Sequence, residues 1–118
     1  MATDSILDST KKILGIEADY PAFDLDIITH INSVFFTLQQ LGVGPEGGFA
    51  IEDNTKTWTQ YLGVGALNFS AVKSYVYLRV RLMFDPPATS FAIDSLKKQA
   101  EEFEWRLNVQ REGARTNG

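Results

Sequence analysis

Apolar residues recur at intervals of three and four along much of the chain, a spacing that places them on one face of an α-helix. The pattern is clearest between residues 25 and 41, where it comprises Leu25, Ile28, Ile31, Val34, Phe35, Leu38 and Leu41. Asp24 precedes this run in the position of a helix cap, and Gly42 follows it where a helix commonly stops. We therefore predict a core helix from Leu25 to Leu41.

A shorter helix is predicted before it, from Ser5 to Leu14, with Asp4 or Ser5 as its cap. Lys11 and Lys12 occupy its last turn, where positive charges interact favourably with the helix dipole. We expect this helix to be amphipathic and largely solvated.

The chain between the second helix and residue 62 carries weaker signals. Gly42–Gly48 holds four glycines and a Pro-Glu pair, which predicts a mobile loop. Phe49–Glu52 alternates like a strand, so a short β-hairpin is one alternative there. We favour a short helix, capped by Asn54 or Thr55 and ending at Leu62. Its apolar residues share one face: Trp58, Tyr61 and Leu62.

Residues 71–84 fit two patterns at once. From Tyr75 onward apolar and polar residues alternate as in a strand, with Val76, Leu78, Val80, Leu82 and Phe84 on one side. A helical stripe fits equally well, formed by Phe69, Val72, Val76, Val80 and Met83, with Asn68 or Ser70 as its cap. A run of this length is long for a strand, and the chain offers few partner strands. We predict a central helix that ends at Asp85-Pro86-Pro87.

The last helix is predicted from about Ser90 to Val109, with Thr89 or Ser90 as its cap. Its apolar positions recur at helical spacing and comprise Leu96, Ala100, Phe103 and Leu107, with Trp105 to one side. A ladder of charges, Lys98, Glu102 and Arg106, indicates a solvated face. The polar residues from Arg111 to Gly118 are expected to be loose.

These elements predict an all-α protein, a small bundle of four to five helices with a long glycine-rich loop between the second and third. We assign residues 1–112 to a single helical domain and residues 113–118 to a flexible polar tail. The chain has 118 residues, of which 44% are hydrophobic, enough to build one core. Its first residues do not have the pattern of a signal peptide, and no apolar run is long enough to span a membrane.

Composition argues against most chemistry. The chain has no cysteine, which excludes disulfides, thiolate nucleophiles and cysteine-ligated zinc, and which fits a reducing compartment. His30 is the single histidine, and no serine stands in a nucleophile elbow, so no catalytic triad is indicated. We interpret His30 as a partly buried polar residue.

The remaining polar motifs have structural explanations. Asp24 and Asp26 are explained as a cap and a first-turn anion. Asp53 and Asn54 lack the spacing of a calcium loop, and Gly42–Gly48 lacks the ending of a phosphate loop. We expect no catalytic residue, no metal site and no cofactor, and therefore no enzyme. The formal net charge of −4, without a basic stripe, also disfavours a DNA-binding protein.

The order of these elements resembles a known family. The segments that carry the likeness are FDLDIITHINSVFFTLQQLGVG, AVKSYVYLRVRLMFDPP and FAIDSLKKQAEEFEWRLN. Together they are similar to the head–tail connector, or adaptor, proteins of long-tailed bacteriophages and prophages, over roughly Ser5 to Glu112. The most specific part is the helix–Asp-Pro-Pro–helix junction between Tyr75 and Asn108.

The resemblance implies a structural protein of the virion neck, assembled in the host cytoplasm. Twelve copies are expected to form a ring beneath the portal, with a stopper or tail-completion protein on the other side. DNA would pass through the channel without specific binding. The alternatives are a small helical DNA-interacting or packaging accessory protein, and a tail-completion protein.

Flexibility and position suggest which residues contact these partners. We predict contacts in residues 43–57 and 106–115. The individual candidates for the partner or oligomer interface are Val43, Phe49, Ile51, Trp58, Trp105, Arg106 and Arg111.

Overall fold

The computed structural model describes the backbone of residues 4–63 and 69–117, and the side chains of residues 4–63 and 69–108. The described chain forms five helices: α1 (Ile6–Ile13), α2 (Asp24–Gln40), α3 (Trp58–Leu62), α4 (Phe69–Phe84) and α5 (Ser90–Asn117). The described part contains no strand, and its one β-type pairing is an isolated bridge between Ser5 and Thr57. The predicted all-α fold is confirmed.

Helix α1 differs from the expected solvated helix. Ser5 caps it as predicted, because its side chain accepts a hydrogen bond from the Asp8 amide. However, α1 buries four residues in the molecule: Ile6, Leu7, Thr10 and Lys11. Its inner face therefore belongs to the core, and Lys11 is not a surface charge.

Helix α2 begins at Asp24, one residue earlier than predicted, and Phe23 is its cap residue. Asp24 is therefore not the cap; its carboxylate lies 2.7 Å from the ammonium group of Lys11. The buried face comprises Ile27, Ile31, Val34, Phe35 and Leu38. Leu25, which the predicted stripe included, is 77% exposed because it lies about 200° around the helix from Ile27.

The loop between α2 and α3 is anchored in its second half. Asn32 on α2 donates to the carbonyl of Ile51 and accepts from its amide, at 3.0 and 2.8 Å, so it satisfies both backbone groups as a neighbouring strand would. Helix α3 begins at Trp58 rather than near residue 54. Its cap is Thr57, which forms a reciprocal capping box with Gln60.

Helix α4 lies at the centre of the bundle and settles the conflict between strand and helix in favour of helix. It packs against α2 on one side and α5 on another. Its buried residues are Val72, Tyr75, Val76 and Val80. Of its two candidate caps, Asn68 lies outside the described residues.

Helix α5 packs against α4 and is longer than predicted. Thr89 caps it, accepting a hydrogen bond from the Ala92 amide at 3.2 Å. The helix passes Val109 and continues to Asn117, so the segment expected as a loose tail is helical up to that residue. After Pro87 the chain contains no further proline that would end a helix, and the single Gly113 is tolerated within one.

No helix in the described ranges combines the length and the apolar character needed to cross a membrane.

Candidate interaction surfaces

Three of the predicted contact residues lie inside the core. Val43, Ile51 and Trp58 are 9%, 1% and 0% exposed. The indole nitrogen of Trp58 donates to the hydroxyl of Ser9 at 2.8 Å, which ties α3 to α1. A partner that docks on this fold does not reach these side chains.

Phe49 is only partly accessible. Its ring packs edge-on against Phe35 and at a tilt against Tyr61, with centroid distances of 5.7 and 5.0 Å. Phe49 therefore covers the core beside the glycine-rich loop.

The candidates on α5 are on the surface. Trp105 is 66% exposed, and Arg106 forms an ion pair with Glu102 one turn before it. The Arg111 side chain lies outside the described residues. Trp105 and Arg106 are thus the two predicted contact residues that the fold presents to a partner.

A second aromatic residue on α5 was missed by the sequence analysis. Phe91 is 84% exposed and lies fourteen positions before Trp105, which is close to four helical turns. The two rings and the exposed Lys98 between them therefore share one line along α5. The signal was present in the sequence, since Phe91 and Trp105 both stand outside the Leu96–Leu107 stripe.

A groove lies between the end of α1, the chain that follows it, and α4. Its volume is about 680 Å³, and its lining includes Ile13, Ile16 and Tyr77 with Lys12 and Glu17 beside them. Sequence periodicity placed Ile13 on the apolar face of the first helix, yet its side chain is 54% exposed. This lining is largely hydrophobic but open to solvent.

Asp8 contributes a polar atom to the same groove. One carboxylate oxygen, Oδ2, accepts a hydrogen bond from Asn54 at 3.3 Å. The other, Oδ1, is shielded from solvent, and no donor among the described residues reaches it. A buried acceptor without a donor is unfavourable, so the groove wall has unused capacity for a hydrogen bond.

Lys11 organises the connection between α1 and α2. Its ammonium group donates to the carbonyls of Ala18 and Tyr20 at 3.0 and 2.8 Å, in addition to its pairing with Asp24. The side chain is fully buried. This arrangement satisfies all three ammonium donors and makes Lys11 a structural element rather than a ligand-binding group.

An aromatic edge follows this connection. The Phe23 ring packs at 5.8 Å from Tyr20 and edge-on at 5.4 Å from Phe84. His30 is half-buried, as expected, and its ring meets that of Phe84 at 6.4 Å. His30 therefore lies in an aromatic environment.

The remaining polar groups do not assemble a reactive centre. Within the described residues no three His, Asp or Glu side chains converge as a metal site would require. The Asp53 carboxylate accepts hydrogen bonds from the hydroxyl and amide of Thr55, which lower its pKa and form a local turn. Burial raises the pKa of Tyr61, and burial together with a hydrogen bond to Glu104 raises that of Tyr75.

Comparison with known proteins identifies one family. The family model described as phage connector protein matches residues 6–114. No curated protein and no solved structure matches the chain.

Proposed function

Because the chain belongs to the phage connector protein family, we propose that it is a ring-forming subunit of the virion neck. In this proposal about twelve copies assemble beneath the portal, and a stopper or tail-completion protein binds the opposite side of the ring. DNA passes through the central channel. The observation that carries the proposal is the family match, which extends over all five helices up to residue 114.

The surface of the subunit supports assembly with other proteins. Solvent-exposed Phe and Trp side chains on α5 are typical of contact surfaces, because aromatic residues supply much of the binding energy in protein interfaces. The net charge of −4 suits a channel wall that DNA must pass without being held. Neither property depends on a bound cofactor.

The proposed partner contacts concentrate on the exposed part of the predicted spans. Trp105 and Arg106 are accessible on α5, and the backbone of this helix continues beyond them to Asn117. A 28-residue helix extends for about 42 Å, whereas α4 with 16 residues extends for about 24 Å. The C-terminal part of α5 is therefore longer than the helix that supports it, and we assign it to portal binding.

Binding to the portal tests this assignment. We expect the full chain to cosediment with portal rings of the same phage, and a variant lacking residues 112–118 to bind at least about tenfold more weakly. Phe36→Ala, which removes an exposed aromatic side chain from α2, is the matched control and should bind normally. Equal binding by the truncated chain would contradict a role of the C-terminus in portal binding.

DNA binding separates the connector from a packaging accessory protein. An acidic subunit should show no mobility shift of duplex DNA even at low salt, where charge attraction is strongest. Binding that weakens steeply with added salt would instead favour the accessory role.

A further inference from the structure

Two unpartnered apolar surfaces lie on opposite sides of α4. The protruding surface is the line of Phe91, Lys98 and Trp105 along α5, which we call the α5 ridge. The recessed surface is the groove of about 680 Å³ that includes Ile13 and Tyr77, which we call the α1 groove. A convex and a concave surface of this kind are what one subunit needs to bind the next in a head-to-tail assembly.

Their placement follows from two tyrosines of α4. Tyr75 is fully buried, and its hydroxyl donates to Glu104 on α5 at 2.7 Å, so this side of α4 faces α5. Tyr77 lies about 200° around the same helix and lines the α1 groove. The groove therefore opens on the side of α4 that is turned away from α5.

The ridge in turn is directed away from α4. The residues by which α5 packs inward include Ala100 and Leu107, which are 1% and 3% exposed. Trp105 is about 140° from Ala100 and about 200° from Leu107 around the helix. Ridge and groove thus face in opposite directions, which prevents them from meeting within one subunit and suits contacts with two different neighbours.

The charges and hydrogen-bonding groups of the two surfaces are complementary. The groove carries Asp8 and Glu17 against a single lysine, Lys12. The ridge offers Lys98 between its two aromatic rings, and the Trp105 indole is a donor without an acceptor function. The unsatisfied Oδ1 of Asp8 in the groove wall is an acceptor that a donor from the ridge can satisfy.

We infer that the α5 ridge of one subunit docks in the α1 groove of a second copy of this chain, with Trp105 as the anchor. This inference rests on the proposed ring and assigns its subunit contact to particular surfaces. It also makes the exposure of Phe91, Trp105 and Ile13 in the single subunit intelligible, because all three become buried in the assembly.

Disulfide trapping tests the contact directly, because the natural chain has no cysteine. Lys12→Cys in the groove and Lys98→Cys on the ridge are both substitutions of exposed residues, and the apolar side chains remain. The two single variants, one carrying a larger tag, are mixed and mildly oxidised with and without portal rings. We expect a mixed disulfide dimer. Lys98→Cys mixed with Leu25→Cys, another exposed position, is the control and should give none.

Alanine substitution tests the anchor. Trp105→Ala should weaken self-association at least about tenfold, whereas Phe36→Ala, which removes an aromatic ring of similar exposure (63%), should change it less than about twofold. Circular dichroism should show both variants folded, since both residues lie on the surface. Equal effects of the two substitutions would overturn the role of Trp105.

The outcomes separate this inference from the proposed ring. Closed rings without the mixed disulfide would leave the ring in place and overturn the assigned surfaces. Open chains linked through Lys12→Cys and Lys98→Cys would support the surfaces and contradict the ring. A chain that gives no mixed disulfide and stays monomeric, with or without portal, would overturn both.

Discussion

Lys11 joins three parts of the chain through one buried side chain. Its ammonium group binds two carbonyls of the α1–α2 connection and the Asp24 carboxylate at the start of α2. Burial of a charge is tolerated only when it is paired and hydrogen-bonded, and here all three donors have acceptors. Sequence alone could not reveal this, because Lys11 and Lys12 stand side by side in a helix end where either is explained by the dipole.

Lys11→Met should lower the free energy of unfolding by about 2–4 kcal/mol, because it leaves Asp24 and two carbonyls without their donor. Urea denaturation monitored by circular dichroism measures this. Lys12→Met, at the exposed neighbouring position, is the control and should change stability by less than about 0.5 kcal/mol. Equal stability of the two variants would contradict the structural role of Lys11.

Two buried tyrosines should make the protein sensitive to alkali. Folding raises the pKa of Tyr61 and Tyr75 above the ordinary value of 10.0, chiefly through burial. As pH rises, the unfolded chain therefore loses these protons first. Their contribution to stability is complete below about pH 10 and decreases above it, by at most about 1.4 kcal/mol per pH unit for each tyrosine.

Urea denaturation between pH 9 and 11.5 measures this decrease. Tyr75→Phe should reduce the slope, although it also removes the hydrogen bond to Glu104 and lowers stability at neutral pH by about 1–2 kcal/mol. Tyr20→Phe, at a half-exposed position, is the control and should keep the slope of the natural chain. An unchanged slope in Tyr75→Phe would show that this hydroxyl does not carry the effect.

At the scale of the elements, four of the five helices could be predicted close to their observed positions, and the least certain was α4. A helix packed on two sides has apolar residues around most of its circumference, which blurs the helical stripe and allows strand-like alternation. In α4 the Val72, Val76 and Val80 face and the Tyr75 side are all buried. Local pattern could not settle the conflict, because the neighbours α2 and α5 are what bury both sides.

The ends of elements were harder to predict for a different reason. The start of α3 depends on the reciprocal bonds between Thr57 and Gln60, while Asn54 and Thr55 are equally good cap residues by type. Asp53 binds Thr55 instead, which holds that segment in a turn. The choice among neighbouring caps therefore rests on contacts that residue type does not encode.

The glycine-rich loop provides a test at this scale. Gly44 has a φ of +89°, and a Cβ atom there would lie 2.7 Å from the ring of Tyr61. Gly44→Ala should therefore lower the free energy of unfolding by about 1–3 kcal/mol. A Cβ atom at Gly47 meets nothing within 4 Å, so Gly47→Ala is the matched control. Thermal unfolding compares them, and equal melting temperatures would contradict the close packing of this loop on α3.

At the scale of the whole molecule, the sequence predicted the class of protein better than its contact surface. The order of helices around the Asp-Pro-Pro junction led to the connector family, which the match over residues 6–114 confirms. The predicted contacts on α5, Trp105 and Arg106, are exposed, whereas Ile51 and Trp58 are buried. An aromatic residue looks the same in sequence whether it fills a core or projects from one, so the fold was needed to separate them.

The central claim is that this chain assembles into a ring, and its mass in solution tests that claim most directly. Light scattering over a concentration series, with the same sample imaged by negative stain, should give closed rings of about twelve subunits, alone or on portal. Since each subunit has a mass of 13.2 kDa, a ring is readily distinguished from a single chain. A monomer at every concentration, both alone and with portal, would contradict the account.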